Sequence, residues 1–476
     1  MTSALARRWQ AAAAPAITPA TDGSPPPLSY AQERMWFLEQ YAPGTATYHM
    51  WLPLRVAGAV DVPALRAALD ALAARHDSLR MRFPATVDGK PVLDVAAPGA
   101  VPLDLLRAEG EAEARDALAR AVAVPFDLAA GPLFRAALVA LGPDDHVLCL
   151  TMHHIVSDGW STEVILAELG ALYDAALAGR PAGLPALPIG YGDWARWQRA
   201  LGSTGRDLDY WRERLAGLPA LQLPTDRPHP PEQTSSGAVH TFRLDAGLCG
   251  ALAAVGRAGG ATPFMVLLAG FQALLGWHAG QDDFGVGVPV SGRGQPQAEG
   301  LVGLFVNTVV LRADLAGDPS FADLVGRVRE AAIDAFAHQE LPFERLVGEL
   351  KVTRDVRRPP VFQVSFAVQN YAKAPASRLG ALTVAPFDVA PATTRHELAL
   401  YLHHEGTGWS APSRTTPTSS TRPRWSGCSA GTARCCARSA PHRPRRCPLW
   451  TSSSPANGLS CPPTPTAADP ARGPGC

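Results

Sequence analysis

Two adjacent histidines, His153 and His154, are followed closely by Asp158, Gly159, Trp160 and Ser161. An imidazole takes up or releases a proton near neutral pH, so a histidine here can position a nucleophile or accept its proton. A carboxylate four residues further on can fix the geometry of the loop. Gly159 lets a substrate approach the backbone, and its amide can face an oxygen on which negative charge develops. A metal site on His153, His154 and Asp158 would need another ligand, and no further His, Cys or Glu stands at ligand spacing nearby. No metal is expected.

These residues need elements to hold them. The apolar run 147–150 reads as a buried strand ending at the histidines, and 162–178 as a helix leaving them. Residues 132–141 read as a neighbouring strand, joined through the turn 142–145. Upstream, 31–41 and 62–74 are helical, the second with Leu65, Leu69 and Leu72 on one face. A second unit has strands at 239–244, 283–290, 305–311 and 361–368, with helices at 263–278 and 321–338. Thr262 caps the first of these helices and Pro263 opens it. Five prolines between 219 and 233 mark a connector. The similar halves point to an α/β (α+β) chain of two related lobes.

Composition narrows the function. The 476 residues exceed one ordinary core, and the formal net charge is zero with 18% charged residues, so no basic surface points to nucleic acid or an anionic membrane. The longest apolar run, 261–277, includes Gln272 and is short for a bilayer span. Only Cys149 and Cys249 precede residue 410, in no metal or redox spacing, which fits a cytoplasmic protein. Residues 1–27 carry no signal-like apolar core and read as a linker or docking tail.

The spacing HHxxxDGxS resembles the active-site motif of the condensation domains of nonribosomal peptide synthetases. Six other segments are similar to that family's motifs, in its order. They are Ser29-Tyr30-Ala31-Gln32-Glu33-Arg34-Met35-Trp36, Arg75-His76-Asp77-Ser78-Leu79-Arg80, Tyr191-Gly192-Asp193-Trp194-Ala195, Val302-Gly303-Leu304-Phe305-Val306-Asn307-Thr308, His338-Gln339-Glu340-Leu341-Pro342-Phe343-Glu344 and Arg354-Asp355-Val356-Arg357-Arg358-Pro359.

The resemblance implies two chloramphenicol acetyltransferase-like lobes in a V with a central tunnel: 28–218 with the histidine motif, 219–236 as connector, and 237–409 as the second lobe. It implies amide formation between a carrier-bound acyl or peptidyl thioester donor and a carrier-bound aminoacyl acceptor. His154 would handle the proton or position the amine. His153 would support the loop, and Asp158 would form an ion pair for which Arg293 is the candidate. Gly159 would give room, while Trp160 and Ser161 would line the tunnel. Asn307 and Thr308 would either cap a strand end or touch the pantetheine arm. No cofactor is expected in the domain itself; phosphopantetheine arms come with donor and acceptor peptidyl carriers, and an adenylation domain on a neighbouring polypeptide is implied. The intact motif separates the chain from cyclisation domains, which carry Asp in place of the histidines. With no carrier segment before residue 28, the donor would arrive in trans, or the domain would be a starter taking a fatty acyl group. A non-catalytic carrier-recruiting role is the rival.

After Gly408 the composition changes. Residues 410–476 hold six of eight cysteines, nine arginines, no lysine and one acid, Asp469. Disorder is one reading; a shifted reading frame is the better one, since 415–421 back-translates, one base earlier, to Asp-Asn-Thr-Asp-Leu-Phe-Asp, close to the expected family segment. The second lobe would then lack its last strand and helix and expose a sheet edge. Low solubility or inactivity would follow.

Overall fold

The computed structural model describes residues 15–21, 23–201, 205–225, 237–350, 361–369, 377–389, 394, 396–405 and 408–415. The arginine-rich motif 354–359 and the tail 416–476 lie outside the described residues.

Two six-stranded sheets organise the chain. The first holds β1 at His49–Ala57, β4 at Leu103–Arg107, β5 at Phe134–Gly142, β6 at Asp145–His153, β11 at Ser377–Leu379 and β12 at Leu382–Pro386, in the order β11-β12-β1-β6-β5-β4. A short ribbon of β2, Met81–Arg82, and β3, Asp94–Val95, stands apart from it. Strand β6 is buried along nearly all its length because helices Val62–Arg75 and Gly159–Leu177 cover Leu148, Leu150 and Met152 on one face, and helix Glu111–Ala123 covers Val147 and Cys149 on the other. The first of these is started by Asp61, whose side chain accepts the Ala64 N–H, and buries Leu65, Leu69 and Leu72. Pairing of β1 with β6 runs antiparallel from Ala57 opposite Asp145 to His49 opposite His153. That register fixes where β6 stops and the histidine loop begins.

The second sheet holds β7 at Ala238–Leu244, β8 at Asp283–Val290, β9 at Asn307–Asp314, β10 at Val364–Gln369, β13 at Leu398–Glu405 and β14 at Gly408–Thr415, in the order β7-β14-β13-β10-β8-β9. Helix Pro263–Ala279 is buried on most sides in this core, which explains its apolar run. Among the described residues no single helix is long and apolar enough to cross a membrane; Ala246–Gly259 and Pro263–Ala279 reach that length only together, bent by 108°.

Four segment assignments need correction. Within 1–27, the described residues are not a loose linker: Ile17 is buried and exchanges two hydrogen bonds with the Gln297 side chain, at 3.0 and 2.7 Å. Asp193, Arg196, Trp197 and Arg199 hold the backbone at Ala20, Ser24, Pro15 and Leu28. Proline-rich composition removes backbone donors but leaves carbonyls: Arg196, Trp197 and Arg199 donate to the carbonyls, while Asp193 accepts the Ala20 N–H. Within 219–236, Leu221 and Leu223 are buried in the second core. Residues 382–386, assigned to the second lobe, cross over to pair with β1.

The fourth correction concerns the expected open edge. Residues 408–415 form β14, paired antiparallel with β13 on one side and β7 on the other. A ladder uses backbone groups, so an atypical sequence can still fill the slot. Pro412, with no N–H to donate, takes its place in this strand opposite Thr241 of β7.

Candidate active site and its family

Strand β6 delivers His153, and a single 3-10 turn, His154–Val156, follows. The chain then turns at Ser157 into the helix beginning at Gly159, capped by Asp158. His154 is half-buried; its backbone N–H donates to the Tyr48 carbonyl at 2.8 Å, and Nδ1 lies 2.7 Å from the Ser157 carbonyl. A carbonyl only accepts, so Nδ1 carries the proton and Nε2 is the basic nitrogen of the neutral ring. His153 is fully enclosed and its Nδ1 accepts the Ile155 N–H at 3.1 Å. The two histidines therefore differ in kind: one ring shapes the turn, the other keeps surface.

Asp158 and Arg293 meet in a buried ion pair, Nη2 to Oδ1 at 3.1 Å. Asp158 Oδ1 also accepts the Ser161 N–H at 2.8 Å, and Oδ2 accepts the Phe305 N–H at 3.0 Å. Arg293 donates to the Leu301 carbonyl at 2.8 Å and to Ala298, and its guanidinium lies 3.8 Å from the Phe305 ring centre. Gly292 makes this crossing possible: its φ is +63°, and a Cβ there would collide with the Phe305 carbonyl.

Other side chains of the first lobe read the backbone of 301–305. Ser78 donates to the Val302 carbonyl at 2.7 Å, and His76 Nδ1 accepts the Val302 N–H at 3.4 Å while Nε2 donates to Glu168 at 2.8 Å. Tyr191 donates to the Leu304 carbonyl at 2.6 Å and packs with Trp194 and Phe305; a Cβ on Gly303 would strike the Tyr191 ring. Trp160, 38% exposed, donates to the Glu299 carbonyl at 2.9 Å.

Ser161 does not line a tunnel, and of the two readings of Asn307 the strand-end one holds. Ser161 is fully buried: it accepts from Arg293 and Gly303 N–H, both at 3.0 Å, and its own proton lies between Asp158 Oδ1 and the Gly303 carbonyl. All of its hydrogen-bonding capacity is used inside the junction. Asn307 donates to the carbonyls of Gln339 and Leu341 at 2.7 and 2.8 Å and accepts the Phe343 N–H at 3.0 Å, so it ties the start of β9 to 339–343. Thr308 is half-buried and pairs with Pro289 of β8.

Gln32 is a supporting residue that its sequence context does not single out. It is buried, and its amide reaches from helix Tyr30–Tyr41 to the Ile155 carbonyl at 3.2 Å, bracing the histidine turn. The capping box Ser29–Gln32 was the available signal. Among the described residues, no cluster of three or more His, Cys, Asp or Glu side chains is arranged to hold a metal ion.

A two-sheet α/β architecture with a histidine turn at the junction of the lobes defines the chloramphenicol acetyltransferase-like class of acyl-transfer folds. Residues 25–407 match the family model for the condensation domain, and the chain belongs to that family. It is 44% identical over 367 residues to one of the linear gramicidin synthase chains of Brevibacillus parabrevis, covering 75% of this chain and 7% of that synthase chain. With phosphinothricin tripeptide synthetase PhsC of Streptomyces viridochromogenes it shares 43% identity over 378 residues, 76% of the chain and 35% of PhsC. The chain thus spans a small part of these relatives. Among solved structures, the X-domain from teicoplanin biosynthesis superposes with a TM-score of 0.84 at 28% identity, over 90% of this chain and 98% of that one. The first condensation domain of the calcium-dependent antibiotic synthetase, at 23% identity, gives 0.73 over 88% and 97% and supports the fold alone. Domains of this family work with carrier and adenylation domains in synthetase assemblies.

Proposed function

We propose that this domain joins a carrier-bound acyl or peptidyl thioester to a carrier-bound aminoacyl amine. The amine nitrogen attacks the thioester carbonyl carbon, a C–N bond forms, the C–S bond breaks, and the departing thiolate takes up the proton the amine loses. Aligning two tethered reactants supplies much of the acceleration. An α-amino group with a pKa near 8 is partly neutral already, so the amine needs orientation and a proton acceptor more than strong activation.

The observation that carries this reading is the His154 Nδ1 contact with the Ser157 carbonyl at 2.7 Å, which makes Nε2 the acceptor for an amine N–H. Gly159, at the start of the Asp158-capped helix, supplies an amide toward the thioester oxygen. Trp160 and Thr308 are the remaining candidates for the tunnel wall. The domain binds no cofactor of its own, and the phosphopantetheine arms arrive as part of the substrates. Whether the donor is peptidyl or a fatty acyl starter is decided by offering both.

The test is dipeptide formation with loaded donor and acceptor carriers. His154→Ala should lower turnover by about 10²- to 10⁴-fold with folding retained. Undiminished turnover in the variant would remove His154 from the mechanism. The likeness to the X-domain, also solved in complex with OxyB, favours one rival: a non-catalytic module that binds partners. On that reading the wild-type chain would bind carriers and form no amide.

A further inference from the structure

Beneath the histidine loop lie three buried titratable side chains that amide formation does not use: Glu39, His49 and His153. His49 opens β1 directly opposite His153, their ring centres 6.2 Å apart. Phe126 stands edge-on to both rings, at 4.8 and 6.3 Å, with the Arg135 guanidinium 4.0 Å beyond its face. Glu39 reaches in from helix Tyr30–Tyr41, with Oε2 3.8 Å from His153 Nε2.

Backbone groups fix the proton on each ring. His49 Nδ1 is 2.7 Å from the Val122 carbonyl and must donate to it, so His49 Nε2 is an acceptor. Burial, helped by His153 and Arg135, lowers the His49 pKa to about 4 against the pull of the Val122 contact and Glu39, so the ring is neutral at neutral pH. His153 Nδ1 accepts the Ile155 N–H, so the neutral His153 ring carries its proton on Nε2, facing Glu39. A doubly protonated His153 could not accept that amide. Glu39 Oε1 accepts the Gly44 N–H at 3.2 Å. Glu39 Oε2 and His49 Nε2 are buried acceptors that receive no hydrogen bond among the described residues. Two acceptors cannot satisfy each other, and buried polar atoms of this kind are commonly matched by an internal water.

We propose that Glu39, His49 and His153 form a binding site for one buried water molecule beneath the histidine loop. The water donates one hydrogen to Glu39 Oε2 and one to His49 Nε2, and accepts from His153 Nε2–H. Three hydrogen bonds are a typical complement for an internal water. Through His153 it braces the Ile155 amide and so the turn that presents His154.

A crystal structure of the full chain, at a resolution that shows other buried waters, provides the test. One isolated density peak within hydrogen-bonding distance of all three atoms is expected; side chains packed together with no peak would overturn the site. In ¹⁵N-histidine spectra the His153 ring should show the Nε2–H tautomer, and an Nδ1–H or doubly protonated ring would contradict it. Glu39→Gln should keep the peak and Glu39→Leu should lose it; a peak unchanged by Leu counts against Glu39 as a partner. If Glu39→Leu does not fold, the wild-type and Gln chains still decide. None of these readouts depends on turnover.

Discussion

Two of the charged contacts between the halves of this molecule are opposites in kind. Arg293 and Asp158 meet with their side chains 1% and 3% exposed, whereas Arg34 and Glu344 meet at 3.4 Å with theirs 42% and 19% exposed. At the first, every partner is fixed: the Leu301 and Ala298 carbonyls and Ser161 take the guanidinium, while Phe305 and Ser161 amides take the carboxylate. At the second, the pair competes with water, and Arg34 adds a contact over the Phe343 ring at 5.4 Å. Burial, not charge, separates them. An enclosed pair is costly to break because the survivor stays buried and uncompensated, while an exposed pair adds little.

Removing the enclosed cation tests that difference most severely. Arg293→Ala should destabilise the fold by about 3–5 kcal/mol, read as a lower denaturation midpoint, because Asp158 is left buried. A loss under about 1 kcal/mol would erase the contrast between the two joints. Ser161→Ala keeps the ion pair but strips Gly303 N–H and Arg293 of an acceptor, and should cost about 1–3 kcal/mol. The next effect is pH-dependent. Burial acts to raise the Glu168 pKa, but His76 and Arg75 outweigh it and hold the carboxyl below its usual value of 4.5. Its contribution is therefore fully present above that value and is lost as pH falls through the lower folded-state pKa. Glu168→Gln should flatten the acid limb of stability against pH; an identical limb would show that the His76 anchor is not held by charge. Arg34→Ala should be the mildest, within about 1 kcal/mol in thermal denaturation, and smaller still in high salt.

The same contrast explains what could be read from the sequence. Helix Val62–Arg75 was legible because Leu65, Leu69 and Leu72 recur on one face within one segment. Strand β1 was not: it contains Pro53, shows no clean alternation, and exists because β6 pairs with it. The histidine loop was legible as a motif, and its joining of Asp158 to Arg293 follows from the family resemblance. Ser161 was expected on the tunnel wall, and Asn307 was left between strand end and pantetheine arm, because a polar residue in a motif looks the same whether it meets substrate or protein. Their partners lie 142 and 32 to 36 residues away, and nothing local announces them. The stretches 15–21 and 23–28 hid behind proline-rich composition for a related reason: side chains of the distant helix Tyr191–Ala200 bond their backbone. β14 is the reverse case, a strand formed where the sequence pattern had lapsed.

The threading of 298–305 into the first lobe has a consequence for synthesis. His76 and Ser78 wait for Val302, more than 220 residues later, and Ser161 waits for Gly303. The first sheet itself is finished only when β12 emerges near residue 386. A nascent chain released at the connector would hold buried serine and histidine side chains with nothing to bond, for a time of order ten seconds at ordinary elongation rates. Each such loop closure adds entropy cost and slows the search for native contacts. The lobes are thus one folding unit in time, and the ribosome must finish most of the second before the first can settle.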